Sequence, residues 1–363
     1  MFVDTVNSNP PPSPSTTAEM AKGGRGKLRT AFAQHTARAQ QRAVERERLD
    51  AANASARKQA TRSRQDQRKP QRRIAAPEPF EKNDTVLLIG EGNFSFARAL
   101  LSAPRCHPPQ LVLATSYDTE DECYQKYPDA RENVAEIRKI AGPHANRVVA
   151  FGVDAGALER CPLVRQGEWS KVWFGFPHVG AGHKDERRNV LANQLLLLRF
   201  FVSVAPFLTK GPPPRHMAPK KKSVDSDESE DEQEVASEVP PYFAPPARQG
   251  SVLVTLRNAS PYTLWDVPTL AKHVDKVLPV VAASAPALPR GQKVPHAHDV
   301  ARCGRYVLWR SFVFDPDAWP GYSHRRTIGW IEGKSTGNNE DLRRGGNGGE
   351  CRTWEFALRG PRS

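Results

Sequence analysis

The five cysteines of this chain, Cys106, Cys123, Cys161, Cys303 and Cys351, include no C-x-x-C pair. Without such pairs neither a zinc site nor a disulfide framework is expected, and the residues read as reduced intracellular thiols. A charged-then-apolar leader is also missing from the N-terminus. The most apolar run, Leu195 to Leu208, is broken by Arg199 and Pro206 before it reaches membrane-spanning length, so a soluble protein with no membrane partner is expected. Acidic residues are in deficit: 40 Asp and Glu face 53 Lys and Arg, giving a net charge of +13 and a pI near 9.7. An excess of that size points to an acidic partner, of which nucleic acid is the commonest.

Large apolar residues are almost missing from residues 1–78. Asn7 to Thr17 is rich in Pro, Ser and Thr, and Ala21 to Arg73 carries sixteen Lys or Arg against four acids. Such a segment cannot bury enough surface to offset chain entropy, and a disordered basic tail is expected. Within it, Ala37 to Leu49 has the composition to become a basic helix on RNA or to serve as a nuclear and nucleolar address. The folded part is placed at 79–335, with one core of about 200 residues. It is interrupted at 211–250 by a Pro-rich, acidic, disordered insertion holding Ser226 and Ser229 in acidic surroundings that acid-directed kinases favour. A second, irregular insertion is expected at 279–301, and a Gly/Arg-rich tail at 336–363.

What is present is a run of strand ends. Thr85 to Ile89 is a short aliphatic run, Gly90-Glu91-Gly92-Asn93-Phe94-Ser95 follows, and helical spacing resumes after Phe94, so the stretch reads as strand, tight turn, helix. Glycines at 90 and 92 are expected to permit positive φ and close ligand approach, with the free amides of the next helix facing the same space and Asn93 or Ser95 as its N-cap. A third glycine would fall at Ser95, so the dinucleotide fingerprint is incomplete.

Three more strands end in the same grammar. Leu111 to Ser116 closes on Asp118, placed to accept hydrogen bonds from ribose hydroxyls, and Val148 to Val153 closes on Asp154, placed for an exocyclic base amine. Each is equally a turn or cap aspartate when taken alone. Lys171 to Phe174 runs into Phe176-Pro177-His178, where proline stiffens the loop and His178 is either a polar contact or a proton acceptor. Asn189 to Leu208 reads as a core helix and Ser251 to Arg257 as a fifth strand. Tyr306 to Phe314 adds further strand. The loop from Asp315 to Thr327 interleaves Tyr322, His324, Arg325 and Arg326, types that stack on unpaired bases and hold phosphate.

Taken in order, Gly90-Glu91-Gly92-Asn93-Phe94-Ser95-Phe96, Ala114-Thr115-Ser116, Lys126-Tyr127-Pro128, Gly152-Val153-Asp154-Ala155, Phe176-Pro177-His178-Val179-Gly180, Val254-Thr255-Leu256 and Pro320-Gly321-Tyr322-x-His324-x-Arg326-Thr327 resemble the fungal 25S rRNA (uridine-N3)-methyltransferase family. The resemblance implies a Rossmann-like class I methyltransferase, with a mostly parallel twisted sheet and helices on both faces. It implies S-adenosylmethionine as methyl donor, held by Gly90, Glu91, Gly92, Asn93, Phe94, Ser95, Asp118 and Asp154, with the methyl directed toward Phe176, Pro177 and His178. It also implies large-subunit ribosomal RNA, or a pre-ribosomal particle in the nucleolus, as partner. Arg257, Tyr262, Tyr322, His324, Arg325 and Arg326 are the residues assigned to RNA. One departure is visible: the family usually has Asn before Phe-Pro-His, whereas this chain has Gly175. A methyltransferase of another RNA or of protein, and a catalytically inactive RNA-binding assembly factor, remain compatible readings.

Overall fold

The computed structural model of the protein describes residues 41–47, 78–183, 185–213, 245–332, 339, 342 and 350–359. The chain divides into two compact units, Met1–Gln67 and Arg68–Ser363. In the first, residues 41–47 are helical and largely exposed. The rest of the basic tail, and the acidic run with Ser226 and Ser229, lie outside the described residues.

The second unit is built on a seven-stranded sheet: β1 (Val86–Ile89), β2 (Val112–Thr115), β3 (Val149–Ala150), β4 (Lys171–Gly175), β5 (Ser251–Arg257), β6 (Arg305–Phe314) and β7 (Cys351–Arg359). Their spatial order is β3-β2-β1-β4-β5-β7-β6. The first five are parallel, and β7 runs antiparallel between β5 and β6. Strand order reverses between β1 and β4, where Ile89 lies beside Phe174. In open α/β sheets, the crevice at the carboxyl ends of strands at such a reversal is where ligands bind.

Connecting helices are α1 (Ser95–Leu101), α2 (Glu120–Lys126), α3 (Ala130–Ala141), α4 (Pro162–Arg165), α5 (Glu186–Val204), α6 (Val267–Lys272), α7 (Val274–Ser284) and α8 (Ala297–Cys303). Side chains alternate across a strand, so a central parallel strand must be apolar on both sides. All four β1 residues are accordingly buried. Val86 and Leu88 join a core with Phe96 and Leu100 of α1 and Val134 and Ile137 of α3. The opposite face is covered by α5, where Phe200 meets Phe174 with ring centroids 4.9 Å apart and Phe201 meets Phe356 at 5.8 Å. Helix α5 is apolar enough to cross a membrane by length and composition, but 72% of its most apolar window is buried inside the fold. Helices thus cover both faces of a mostly parallel sheet, the Rossmann-like arrangement.

Two expected boundaries are corrected. Residues 336–363 are not a tail throughout, because Cys351–Arg359 is a strand paired on both edges. Its buried Glu355 gives the segment a polar look, yet that carboxylate is satisfied by Lys171 at 2.5 Å, by Ser251 at 2.7 Å and by Arg310. The expected irregular insertion 279–301 contains parts of two helices. Pro279 sits inside α7, where Val274, Leu278 and Val281 bury an apolar stripe despite the one backbone hydrogen bond that proline cannot make. Residues 285–296 are the irregular part.

Candidate active site

The Gly90 turn is built differently from its sequence reading. Gly90 has φ +71°, and a Cβ there would stand 2.9 Å from the Phe174 ring, so both conformation and space require glycine. Gly92 has ordinary φ, and the second left-handed position is Phe94 at φ 60°. Phe94 is also the N-cap of α1, without a side-chain cap bond, in place of Asn93 or Ser95. The amides of α1 are not offered to a ligand. Ser95 N–H donates to Asn93 Oδ1 at 3.3 Å, and the amides of Phe96 and Ala97 donate to the Glu91 carboxyl. Burial outweighs those two bonds and pushes the Glu91 pKa up to about 8.

Asn93 and Ser95 instead tie the turn to the loop after β6. Asn93 Nδ2 donates to Asp129 Oδ2 at 2.8 Å and to Ser323 O at 3.2 Å, while Ser95 Oγ lies 2.9 Å from Ser323 O and 3.0 Å from Ser323 N. Arg325 completes the clamp, bonding Asp129 at 2.7 Å and Ser323 Oγ at 2.8 Å. The loop expected to present rings and guanidinium groups to RNA thus uses many of them for packing. Trp319 is buried against Phe96 at 4.4 Å, and Tyr322 stands edge-on to Phe96 at 5.5 Å with its hydroxyl 3.3 Å from His324 Nδ1. Burial holds the Tyr322 phenol well above its ordinary pKa.

A cavity of about 330 Å³ opens at the carboxyl ends of β1 and β4. Glu91, Asp118 and Asp154 line it, as do Gly90, Gly92 and Asn93; its far wall holds Phe176, Pro177 and His178 with Tyr322, His324 and Arg325. Phe94, Ser95, Arg257, Tyr262 and Arg326 are not among its lining residues; Phe94 is buried against Phe151, with ring centroids at 5.2 Å. Two of the three carboxylates have basic partners that no sequence pattern had paired with them. Lys126 pairs with Asp118 Oδ1, and Arg199 donates to Asp154 Oδ2 at 2.6 Å. Arg199 is 1% exposed and also reaches Gln292 Oε1 at 2.6 Å and Lys293 O at 2.9 Å, which fixes the 285–296 segment over this end of the cavity. A Cβ on Gly156 would lie 2.6 Å from the Arg199 guanidinium carbon, so that residue must be small. The available signal was a charge inside an apolar helix, which has to be paired when buried.

The Phe176-Pro177-His178 corner is rigid. Phe176 takes φ 50° and its amide still bonds Thr255 O at 2.8 Å, while Val179 N–H donates to Asn193 Oδ1 at 2.9 Å. Gly180 N–H donates to His178 Nδ1 at 2.9 Å, and burial lowers the imidazole pKa. The Gly175 departure has a local cause: a Cβ at 175 would stand 2.3 Å from Cη2 of Trp173, whose indole fills that space and donates to Thr255 Oγ1 at 2.8 Å.

The family model described as rRNA (uridine-N3-)-methyltransferase BTM5-like matches residues 87–326. The Saccharomyces cerevisiae protein named 25S rRNA (uridine(2634)-N(3))-methyltransferase is 25% identical over 269 residues, covering 69% of this chain and 68% of that one. Heavy metal-associated isoprenylated plant protein 41 of Arabidopsis thaliana is 28% identical over 144 residues, which is 40% of this chain and 27% of the plant protein. The Mus musculus ferredoxin-fold anticodon-binding domain-containing protein 1 homolog is 33% identical over 125 residues, 34% of this chain and 18% of the mouse protein. This chain therefore spans only a minor part of the last two relatives. The family match runs from β1 to the loop that clamps the glycine turn, through every element that lines the cavity, and the chain belongs to the BMT5-like family of rRNA (uridine-N3-)-methyltransferases.

Proposed function

We propose that the protein transfers a methyl group from S-adenosylmethionine to N3 of an unpaired uridine in large-subunit ribosomal RNA, on a precursor particle in the nucleolus. The observation that supports this most directly is the convergence of Gly90, Glu91, Asp118 and Asp154 on one cavity that continues to the Phe176-Pro177-His178 corner. Its volume of about 330 Å³ suits a nucleoside-sized ligand. The donor set fits a cation bearing a ribose and an adenine: three carboxyl groups, a glycine turn with no room for Cβ, and aromatic walls. Asp118 and Asp154 can accept further hydrogen bonds beside those from Lys126 and Arg199, since each carboxylate offers about four lone-pair sites.

When bound, the sulfonium supplies a methyl group already activated for attack, which leaves the protein to align the base and exclude water. Uridine N3 carries a proton and attacks poorly until it leaves, so donors that stabilise charge on the flanking carbonyl oxygens assist the reaction. Reaching a recessed methyl group requires the base to be unstacked. The name of the yeast relative, a 25S rRNA (uridine-N3)-methyltransferase, favours the same substrate. Incubation of unmodified large-subunit RNA with labelled methyl donor, followed by nucleoside mass spectrometry, is expected to yield 3-methyluridine. Label in another nucleoside, or none with both naked RNA and precursor particles, would overturn the proposal.

A further inference from the structure

We propose that His178 reads the target base as a hydrogen-bond donor, presenting its Nε2–H to O4 of the pyrimidine and so selecting uracil over cytosine. The inference rests on the uridine substrate proposed above and assigns the residue that enforces it. Of the two roles left open for His178 by its place in the sequence, it takes the polar contact and not the proton acceptor.

A backbone amide can only donate, so the 2.9 Å approach of Gly180 N–H to Nδ1 requires a lone pair on that nitrogen. The neutral ring then carries its hydrogen on Nε2. A flipped ring would set a carbon-bound hydrogen against the same amide, losing the bond and crowding the two hydrogens. The turn cannot relax to permit this. Gly180 has φ +67°, and a Cβ on it would lie 2.8 Å from Thr327 Cγ2, so the turn is packed against the loop after β6. On its other side, Asn193 is fully buried, holds Val179 N–H at 2.9 Å and is itself fixed by Asn189 at 2.9 Å.

Protonating Nδ1 would break the Gly180 bond and charge a ring whose burial already lowers its pKa. His178 therefore has no lone pair to offer a substrate proton. What it offers is Nε2–H, which has no hydrogen-bond partner among the described residues, on a ring that lines the cavity and faces Trp265 at 5.9 Å.

A donor fixed by backbone geometry distinguishes the two pyrimidines. Uracil has a carbonyl acceptor at C4, where cytosine has an amine that would meet the imidazole donor with another donor. As the N3 proton passes to solvent, negative charge spreads onto O4 and the same hydrogen bond strengthens. One contact thus contributes to both base choice and rate.

The test uses the full-length protein, with wild-type reaction on large-subunit transcripts first locating the methylated uridine. Matched transcripts with uridine or cytidine at that position are then given to wild type, His178→Ala and His178→Gln, whose amide N–H can replace the donor. The measurements are kcat/KM, product identity by mass spectrometry and the pH profile from about 5.5 to about 9, a range that brackets an ordinary imidazole pKa; methyl-donor affinity by calorimetry reports that the variants are folded. His178→Ala is expected to lose about 100-fold on uridine, as for removal of one donor to a developing oxyanion, and to lower the uridine-to-cytidine ratio about tenfold or more. His178→Gln is expected to recover at least tenfold of that rate, with a pH profile superimposable on wild type. Equal loss in both variants, with an acidic limb that only wild type shows, would make His178 a base and overturn the proposal. Undiminished turnover by His178→Ala would do the same. A wild type that forms no 3-methyluridine removes the substrate reading instead, and the inference with it.

Discussion

In the proposed site, Glu91 should make methyl-donor binding a proton-linked event whose size follows from the structure. Its carboxyl is 8% exposed, accepts two amides of α1, lines the cavity and has a pKa of about 8. At pH 7 about one carboxyl in eleven is ionised, and at pH 9 about ten in eleven. A cationic ligand favours the ionised form, so part of its binding energy at pH 7 goes into removing a proton, about 1.4 kcal/mol for a one-unit gap. Affinity for S-adenosylmethionine should rise about tenfold from pH 7 to pH 9, with about 0.9 proton released at pH 7. Glu91→Gln imitates the neutral form that the site holds at pH 7, so it should fold normally and lose this increment. Subtracting the variant from wild type removes the ligand amine's own titration, which is the same in both. Calorimetry in two buffers of different ionisation enthalpy reads affinity and proton count together. Identical pH slopes and identical proton release for the two proteins would refute the reasoning. Without ligand the sign reverses: a carboxyl whose folded pKa lies above its unfolded value stabilises in acid, so its contribution declines as pH rises from about 4.5 to about 8.

Three further outcomes are expected. Glu355→Ala leaves Lys171 buried without its carboxylate and should cost about 3–5 kcal/mol in urea denaturation, whereas Lys171→Met with Glu355→Leu should cost less. Burial would raise the Glu355 pKa, but Lys171 and Arg310 outweigh it and hold it low. The stability it adds is therefore present above about pH 4.5 and lost as acid protonates it, and an acid transition unchanged in Glu355→Gln would contradict this. Gly175→Asn should destabilise by about 1–3 kcal/mol through collision with Trp173, and Trp173→Val in the same chain should restore most of it; strictly additive effects would deny that the two compete for one space. Deleting residues 1–75 should weaken RNA affinity and lower its salt slope by about 0.7–0.9 for each phosphate that the tail neutralises, while methyl-donor affinity stays unchanged. An unaltered slope would remove the tail from RNA binding.

The strand ends are written locally. Aliphatic runs closing on Gly90, Asp118, Asp154 and Phe176 have a local cause, since a central parallel strand must be apolar and its carboxyl end must turn. The strand-turn-helix order at Gly90 and the positions of Asp118 and Asp154 at carboxyl ends of strands follow from that pattern, but the path of the turn, with Phe94 as its second left-handed residue, does not. What each polar group does was settled by the folded chain alone, because its partner lies far along the sequence. Asn93 meets Ser323, Arg199 meets Asp154 and Gln292, and Lys171 meets Glu355; no short window of residues contains such a pair. Glu355, the last of these, lies on β7, the strand found within the expected Gly/Arg-rich tail. The same holds for His178. Its presence at a strand end was legible, but the Gly180 amide, held in place by Thr327 and Asn193, determines which ring nitrogen carries the hydrogen.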